Sequence, residues 1–280
     1  MQNKSFGKNI LQGIRLRIGK IFHNPYRRVN IGPVRKIYYK HLNPGKDRSH
    51  KLYGNDFFFI SPTEFMHGLK EIFIEEIYKQ HLPPNPYIID CGANIGLSVV
   101  YLKHLIPYAE IIAFEPDEEN FRLLLKNIES FKYKNVTARK EAVWIENTRL
   151  DFASEGSMSS RIGSGSSKHT VQVKAIRLKD FLDRPISFLK IDIEGAEYQV
   201  IKDISDHLHF VNNLFLEYHG SFKQNEELNE LFSLIVEKGF SYYIKEATSV
   251  YDNPFERLSK EGVDYDVQLN IFCFRPAAPN

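Results

Sequence analysis

Three short stretches bring acids, a lysine and a histidine into spacings that chemistry can use. In the first, Asp90-Cys-Gly92-Ala-Asn94-Ile-Gly96 follows the apolar run Tyr87-Ile-Ile89 and leads into an apolar-periodic helix through Ile95, Val99, Leu102 and Leu105. Strand, glycine turn and helix form the unit by which α/β proteins bring backbone close to a nucleotide-like ligand. Gly92 permits that approach without a Cβ clash. The next apolar run, Ile111-Ile-Ala-Phe114, ends in Glu115. A carboxylate repels phosphate oxygens, so Asp90 suits an ammonium, whereas Glu115 suits a ribose diol. The implied ligand joins an adenosine ribose to a cationic amino-acid end, which describes S-adenosylmethionine. A nicotinamide fingerprint needs G-x-G-x-x-G, and the frame from Gly92 has Asn94 and Leu97 where glycines are required. The plainer alternative is a βα turn with two acids at a sheet edge.

The second stretch sets Lys190, Asp192 and Glu194 at period two, on one face of a strand predicted over 186–193. Parallel strands buried on both faces should be nearly all apolar. A lysine and an aspartate there are costly unless they are paired or line a site. The alternative is a Lys190–Asp192 pair that satisfies only itself. The third stretch places Glu217 and His219 on one face of the following strand, 214–218 with its continuation. If these strands are neighbours, Asp90, Asp192, Glu217 and His219 end along one crevice. A histidine of near-neutral pKa is a natural base for an alcohol proton. The expected catalytic set is therefore His219, oriented by Glu217, with Asp192 as the other candidate base and Lys190 and Glu194 beside them. The alternative has His219 capping a loop and Glu217 paired with a basic residue. No metal is the primary expectation, though Asp192, Glu217 and His219 offer a donor set for a divalent ion.

The elements that must position these groups alternate regularly. Residues 57–60 predict a short strand and 63–82 a helix, with Glu64 in its first turn and Phe65, Leu69, Ile72, Phe73 and Ile77 on one stripe. After Glu115, Asp117 is a candidate cap for a helix carrying Phe121, Leu124, Leu125 and Ile128 on one face. Residues 136–143 predict a third strand, and 150–174 an inserted hairpin with a polar tip, 154–168. Short helices are predicted at 178–182 and 196–204, and a longer one carries Leu228, Leu231, Phe232 and Ile235 before Gly239. Residues 240–244 and 267–274 predict two further strands. Seven strands separated mostly by helices predict a doubly wound α/β sheet.

At these residues the chain resembles the FkbM family of S-adenosylmethionine-dependent methyltransferases. The motifs are Asp90-Cys-Gly-Ala-Asn-Ile-Gly96, Phe114-Glu-Pro116, Lys190-Ile-Asp-Ile-Glu-Gly-Ala-Glu197 and Glu217-Tyr-His219, with Glu71-Ile-Phe73 and Ile77-Tyr78 outside the core set. The resemblance spans about residues 53 to 246. The first motif alone marks class I methyltransferases generally, and the pair with the lysine–aspartate motif is more specific. The resemblance implies a seven-stranded Rossmann-like class I sheet whose last strand is antiparallel. It implies O-methylation, often of sugar hydroxyls in polysaccharides or glycosylated natural products. Asp90, Gly92, Asn94, Gly96 and Glu115 would then bind the cofactor, with Ala142 and Val143 near the adenine. Ala93, Leu97, Ser98, Pro116 and Asp192 complete the expected cofactor set. A non-catalytic docking subunit that keeps the same pocket is the competing expectation.

Composition narrows the partners. The chain has 280 residues, 42% hydrophobic, with a formal net charge of +2, which argues against a nucleic-acid partner. The charge is unevenly spread, because residues 1–51 hold 13 Lys or Arg and the single acid Asp47. Such an arm is expected to meet an anionic membrane or saccharide. The expected organisation is a basic arm at 1–52, a strand and helix lid region at 53–85, and a cofactor-binding methyltransferase domain at 86–280. Cys91 and Cys273 imply no disulfide framework. The apolar residues after Lys4 and Lys8 are interrupted by Arg15, Arg17 and Lys20, which is no secretory leader. A cytoplasmic protein, with peripheral membrane contact through the arm, is the expectation. The acceptor is expected to be a glycan or a glycosylated small molecule.

Overall fold

A computed structural model describes residues 24–153, 161–162, 170–257 and 265–276, in two compact units, Met1–Ile77 and Tyr78–Asn280. The basic and apolar stretch at 6–22 lies outside the described residues, as does all of the polar tip 154–168 except 161 and 162.

In the first unit, helix α1 (Pro33–Lys40) precedes an antiparallel hairpin of β1 (Arg48–Leu52) and β2 (Asn55–Phe59). Its two-residue turn places Tyr53 at φ 49° and Gly54 at φ 85°, the left-handed pair that matches the twist of the flanking strands. Arg48–Leu52, read from sequence as arm, is thus a strand whose partner lies across residue 53. Helix α2 (Pro62–Gly68) starts under a Ser61 cap that accepts the Glu64 N–H, and it continues as a π-helical segment, Leu69–Ile74. The predicted helix over 63–82 is therefore shorter. Glu76 turns left-handed at φ 53°, and Pro83 disfavours helix at the residue before it. Phe59 stacks on Phe65 with centroids 4.1 Å apart, and Phe57 and Tyr39 close the same aromatic core.

The second unit carries β3 (Tyr87–Cys91), α3 (Leu97–Leu105), β4 (Glu110–Phe114), α4 (Glu118–Ser130) and β5 (Val136–Arg139). There follow β6 (Ala142–Trp144), β7 (Thr148–Ala153), β8 (Arg161–Ile162), β9 (Thr170–Arg177) and β10 (Ile186–Ile191). Then come α5 (Glu197–Asp203), β11 (Val211–Gly220), α6 (Asn225–Glu237), β12 (Ser241–Glu246) and β13 (Val267–Phe274). Seven strands form one sheet in the order β12-β13-β11-β10-β3-β4-β5, with β13 antiparallel to both neighbours. The expected class I architecture is thereby present.

The chain leaves β3 in one direction through β4 and β5, then returns to the other side of β3 with β10 and β11. That reversal is a topological switch point, where α/β sheets open a crevice at their carboxyl ends. Its register sets Lys190 beside Asp90 and Ile191 beside Leu216. The predicted strand 136–143 is two strands in different sheets. Only β5 joins the main sheet, while β6 pairs with β9 in a four-stranded sheet with β7 and β8. Between them Glu141 is buried and bonds Arg139 and Lys174, which turns the chain. The inserted hairpin is present as β7 paired with β9. Every residue of β10 is buried, Lys190 included.

Candidate active site

The glycine turn is dictated by its neighbours before any ligand arrives. Gly92 has φ 83°, and a Cβ there would lie 1.9 Å from the backbone oxygen of Asp192. The close approach is thus made by the next strand's own backbone, held by the Asp192 N–H donating to the Cys91 carbonyl. Asn94 is left-handed at φ 48°, and its N–H donates to Glu115 Oε2 at 2.8 Å. Gly96 at φ 90° caps α3. Gly92, Asn94 and Pro116 are half-buried along the crevice, whereas Ala93, Leu97 and Ser98 are buried beneath it. Ala142 and Val143 are buried at the start of β6.

Asp90 is buried. Its Oδ2 accepts the Ser98 hydroxyl at 2.5 Å, and its Oδ1 lies 3.3 Å from Lys190 Nζ. The enclosed carboxylate faces that ammonium, while its Oδ1 is buried with no hydrogen-bond partner. Lys190 is the hub. Its ammonium also lies 3.3 Å from Asp192 Oδ2 and donates to the Gly92 carbonyl at 2.8 Å. Burial works against the charged lysine, but Asp90 and then Asp192 outweigh it and hold its pKa well above the ordinary value. Lys190 therefore carries order from the buried Asp90 to the half-buried Asp192 at the crevice. The self-satisfied pair weighed from sequence is a triad, with two carboxylates on one ammonium.

Glu194 is not on the strand face that period two predicted. β10 ends at Ile191, and Glu194 at φ 59° with Gly195 at φ 101° makes a left-handed turn. The turn swings Glu194 towards β11, so that Oε2 lies 3.6 Å from His219 Nε2. Glu217 Oε1 is also 3.6 Å from that nitrogen, and Tyr265 donates its hydroxyl to Glu194 Oε2 at 3.2 Å. The residue that fixes the imidazole is Glu197, rather than the expected Glu217. Its buried carboxylate contacts His219 Nδ1 at 3.2 Å and accepts the N–H groups of Ile193 and Gly195. Glu217 is engaged instead by Gln268, whose amide nitrogen donates to it at 2.7 Å and lies 3.1 Å from His219 Nε2.

The expectation of a near-neutral imidazole is also altered. Burial lowers the pKa of His219, but the Glu197 bond and the Glu197, Glu194 and Glu217 charges prevail and push it up to about 10. Burial pushes the Glu194 carboxyl up to about 7, against the pull of His219. Because the two groups touch, they exchange a proton as a unit rather than singly. Donor atoms of Asp192, Glu194 and His219 all lie within 4.8 Å of one another, close enough to share one cation. Glu194 thus takes the place that sequence gave to Glu217 in the metal alternative.

The described residues match a known family. The family described as "Methyltransferase FkbM domain" matches residues 90–242, from the first motif acid into β12. This chain belongs to the FkbM methyltransferase family. "Methyltransferase 1" of Beauveria bassiana (strain ARSEF 2860) is 28% identical over 211 residues, covering 65% of this chain and 83% of that protein. "Methyltransferase sdnD" of Sordaria araneosa is 28% identical over 226 residues, covering 66% and 85%. Among solved structures, the methyltransferase FkbM from Methylobacillus flagellatus KT shares 15% identity and a TM-score of 0.47 over 71% of this chain. The chain spans 46% of that protein's length.

In this FkbM methyltransferase, sequence reasoning missed Glu197, Tyr265 and Gln268. Glu197 closes the quoted motif, and its spacing from Gly195 across a helix start was the available signal. Nothing in the sequence pointed to the other two. Glu115 supplies a testable property of the same site. It is buried, with Oε1 accepting the Asp117 N–H at 2.9 Å and Oε2 the Asn94 N–H. Burial pushes its carboxyl up to about 7, despite those two bonds. Its folded pKa exceeds the ordinary carboxylate value, so its stabilising effect on the empty protein is lost as pH rises through about 7. Ionised, the same group is a stronger hydrogen-bond acceptor. S-adenosylmethionine affinity by calorimetry is expected to strengthen as pH rises through about 7, and Glu115→Gln to flatten that dependence. Glu115→Ala should weaken binding; equal affinity would remove the ribose contact.

Proposed function

We propose that this FkbM methyltransferase uses S-adenosylmethionine to O-methylate a hydroxyl, on a sugar of a bacterial polysaccharide or glycoconjugate. The observation that carries the reading is the meeting of Asp192, Glu194, Glu217 and His219 at the crevice edge, tied through Lys190 to the glycine turn. The cofactor's ribose would lie at Glu115 and its amino-acid end over Gly92–Gly96, with Asp192 rather than the enclosed Asp90 facing the ammonium. A cavity of about 290 Å³ is lined by Pro116, next in sequence to Glu115, and by Asp117, Lys140, Arg149 and Lys174. S-adenosylmethionine supplies the methyl group by displacement at its sulfonium.

The chain's own residues supply alignment and a proton acceptor. Alignment of donor and acceptor contributes the larger share of the acceleration. As the new carbon–oxygen bond forms, the hydroxyl proton passes to the His219–Glu194 pair, which Glu197 and Tyr265 hold in place. Clustered carboxylates that accept from adjacent hydroxyls suit a polyol. Among the described residues no helix is long and apolar enough to cross a membrane; a cytoplasmic site of action is part of the proposal.

The test has two parts. A thermal-shift panel of S-adenosylmethionine, its demethylated product and NAD should show stabilisation by the first two alone. Mass spectrometry of glycans from cells with and without the protein should then show one methyl ether lost. Stabilisation by NAD alone, or identical glycans, would overturn the reading.

A further inference from the structure

The basic segment 24–52 is folded, and it builds a cavity of its own within the first unit. The cavity measures about 300 Å³ and is bounded by α1 and the β1–β2 hairpin. Its floor is neutral. His50 is buried, its Nε2 donates to the Val29 carbonyl at 2.7 Å, and Nδ1 accepts the Tyr39 hydroxyl at 3.1 Å. Burial lowers the His50 pKa, and the nearby Arg35 adds to that, so the ring contributes no charge.

The walls are cationic. Lys51 has its counter-charge in Asp56, at 2.8 Å. Arg35 and Arg48 have none among the described residues: Arg35 donates to the Asn30 carbonyl at 3.5 Å, and Arg48 to the Asn43 carbonyl at 2.9 Å. The Arg48 Nε is moreover buried with no acceptor. A donor left without a partner in a buried place carries a desolvation cost that an added acceptor removes. Two guanidiniums present planar donor pairs that match carboxylate and phosphate oxygens. Tyr38, exposed beside them, offers a flat apolar face.

We propose that this cavity binds the phosphate or carboxylate of an anionic saccharide, through Arg35 and Arg48. The saccharide class rests on the acceptor proposed above; the anion contact does not. A recessed site of this size admits a single charged group and one sugar ring, whereas a membrane surface meets protruding lysines and arginines over a broad face.

Calorimetry on the full chain tests the inference, with glucose 1-phosphate, glucuronate and neutral glucose as probes. Both charged sugars should bind at least tenfold more tightly than glucose, with an affinity that falls as salt rises. Arg35→Gln, on an exposed side chain, and Arg35→Gln with Arg48→Gln should each weaken that binding, the double variant by tenfold or more, without changing the melting temperature. The phosphate and carboxylate arms identify which anion is preferred. Equal affinity for charged and neutral sugars would overturn the inference, as would variants that bind like the parent. Binding to phosphatidylglycerol vesicles with none to either charged sugar would overturn it too. S-adenosylmethionine binding by the same variants reports separately on the methyl-transfer reading.

Discussion

His219→Ala is expected to lower turnover by about 10²–10⁴-fold, the usual contribution of a positioned acid–base group, with little change in S-adenosylmethionine affinity. The substitution removes the partner of Glu194 and leaves Glu194, Glu197 and Glu217 facing one another without an intervening imidazole. Glu194 and Glu197 are held by Tyr265, Ile193 and Gly195 rather than by the glycine turn, so cofactor binding should be spared. The side chain is buried, and a lowered melting temperature is expected alongside. Single-turnover rates at saturating cofactor, measured where the variant is fully folded, separate the two effects. Unchanged turnover on a confirmed acceptor would remove His219 from the reaction.

Gly92→Ala should be among the most damaging small substitutions in the chain. The added carbon would fall 1.9 Å from a backbone oxygen, at a φ of 83° that alanine rarely adopts. The atom it meets is the backbone carbonyl oxygen of Asp192, just past the end of β10, and cannot rotate aside. The expected loss is about 3 kcal/mol or more, in the range reserved for overpacking and backbone strain. The melting temperature of the empty protein reads it directly. Had Gly92 served only the ligand, the empty variant would melt normally and lose cofactor binding alone. That outcome would mean β3 and β10 diverge where they are placed in contact.

The centre of the sheet was legible because β3, β4 and β10 are short apolar runs ended by acids or glycines, and the helices between them keep a clear stripe. Asp90, Asp192, Glu217 and His219 could be placed near one another because strand order fixes where carboxyl ends meet. What escaped were features that depend on side-chain reach. Period two was extended past Ile191 to Glu194, where backbone turning left-handed overrides the alternation. Glu197 was given no role of its own, yet it is the residue that holds the imidazole. The burial of Asp90 beside Lys190 also went unread, because a sequence does not show how a neighbouring strand's side chain covers it. Of the β1–β2 hairpin only residues 57–60 read as strand, because β1 mixes basic and polar residues over too short a run for a periodic signal.

The insertion of β13 between β11 and β12 also bears on how the chain matures. During synthesis β11 presents an open row of backbone donors and acceptors until residues 267–274 have left the ribosome. Such an edge is a template for pairing with another nascent chain. The burden of keeping newborn molecules apart therefore falls on whatever shields that edge in the interval, and a premature stop before residue 267 would leave it permanently exposed.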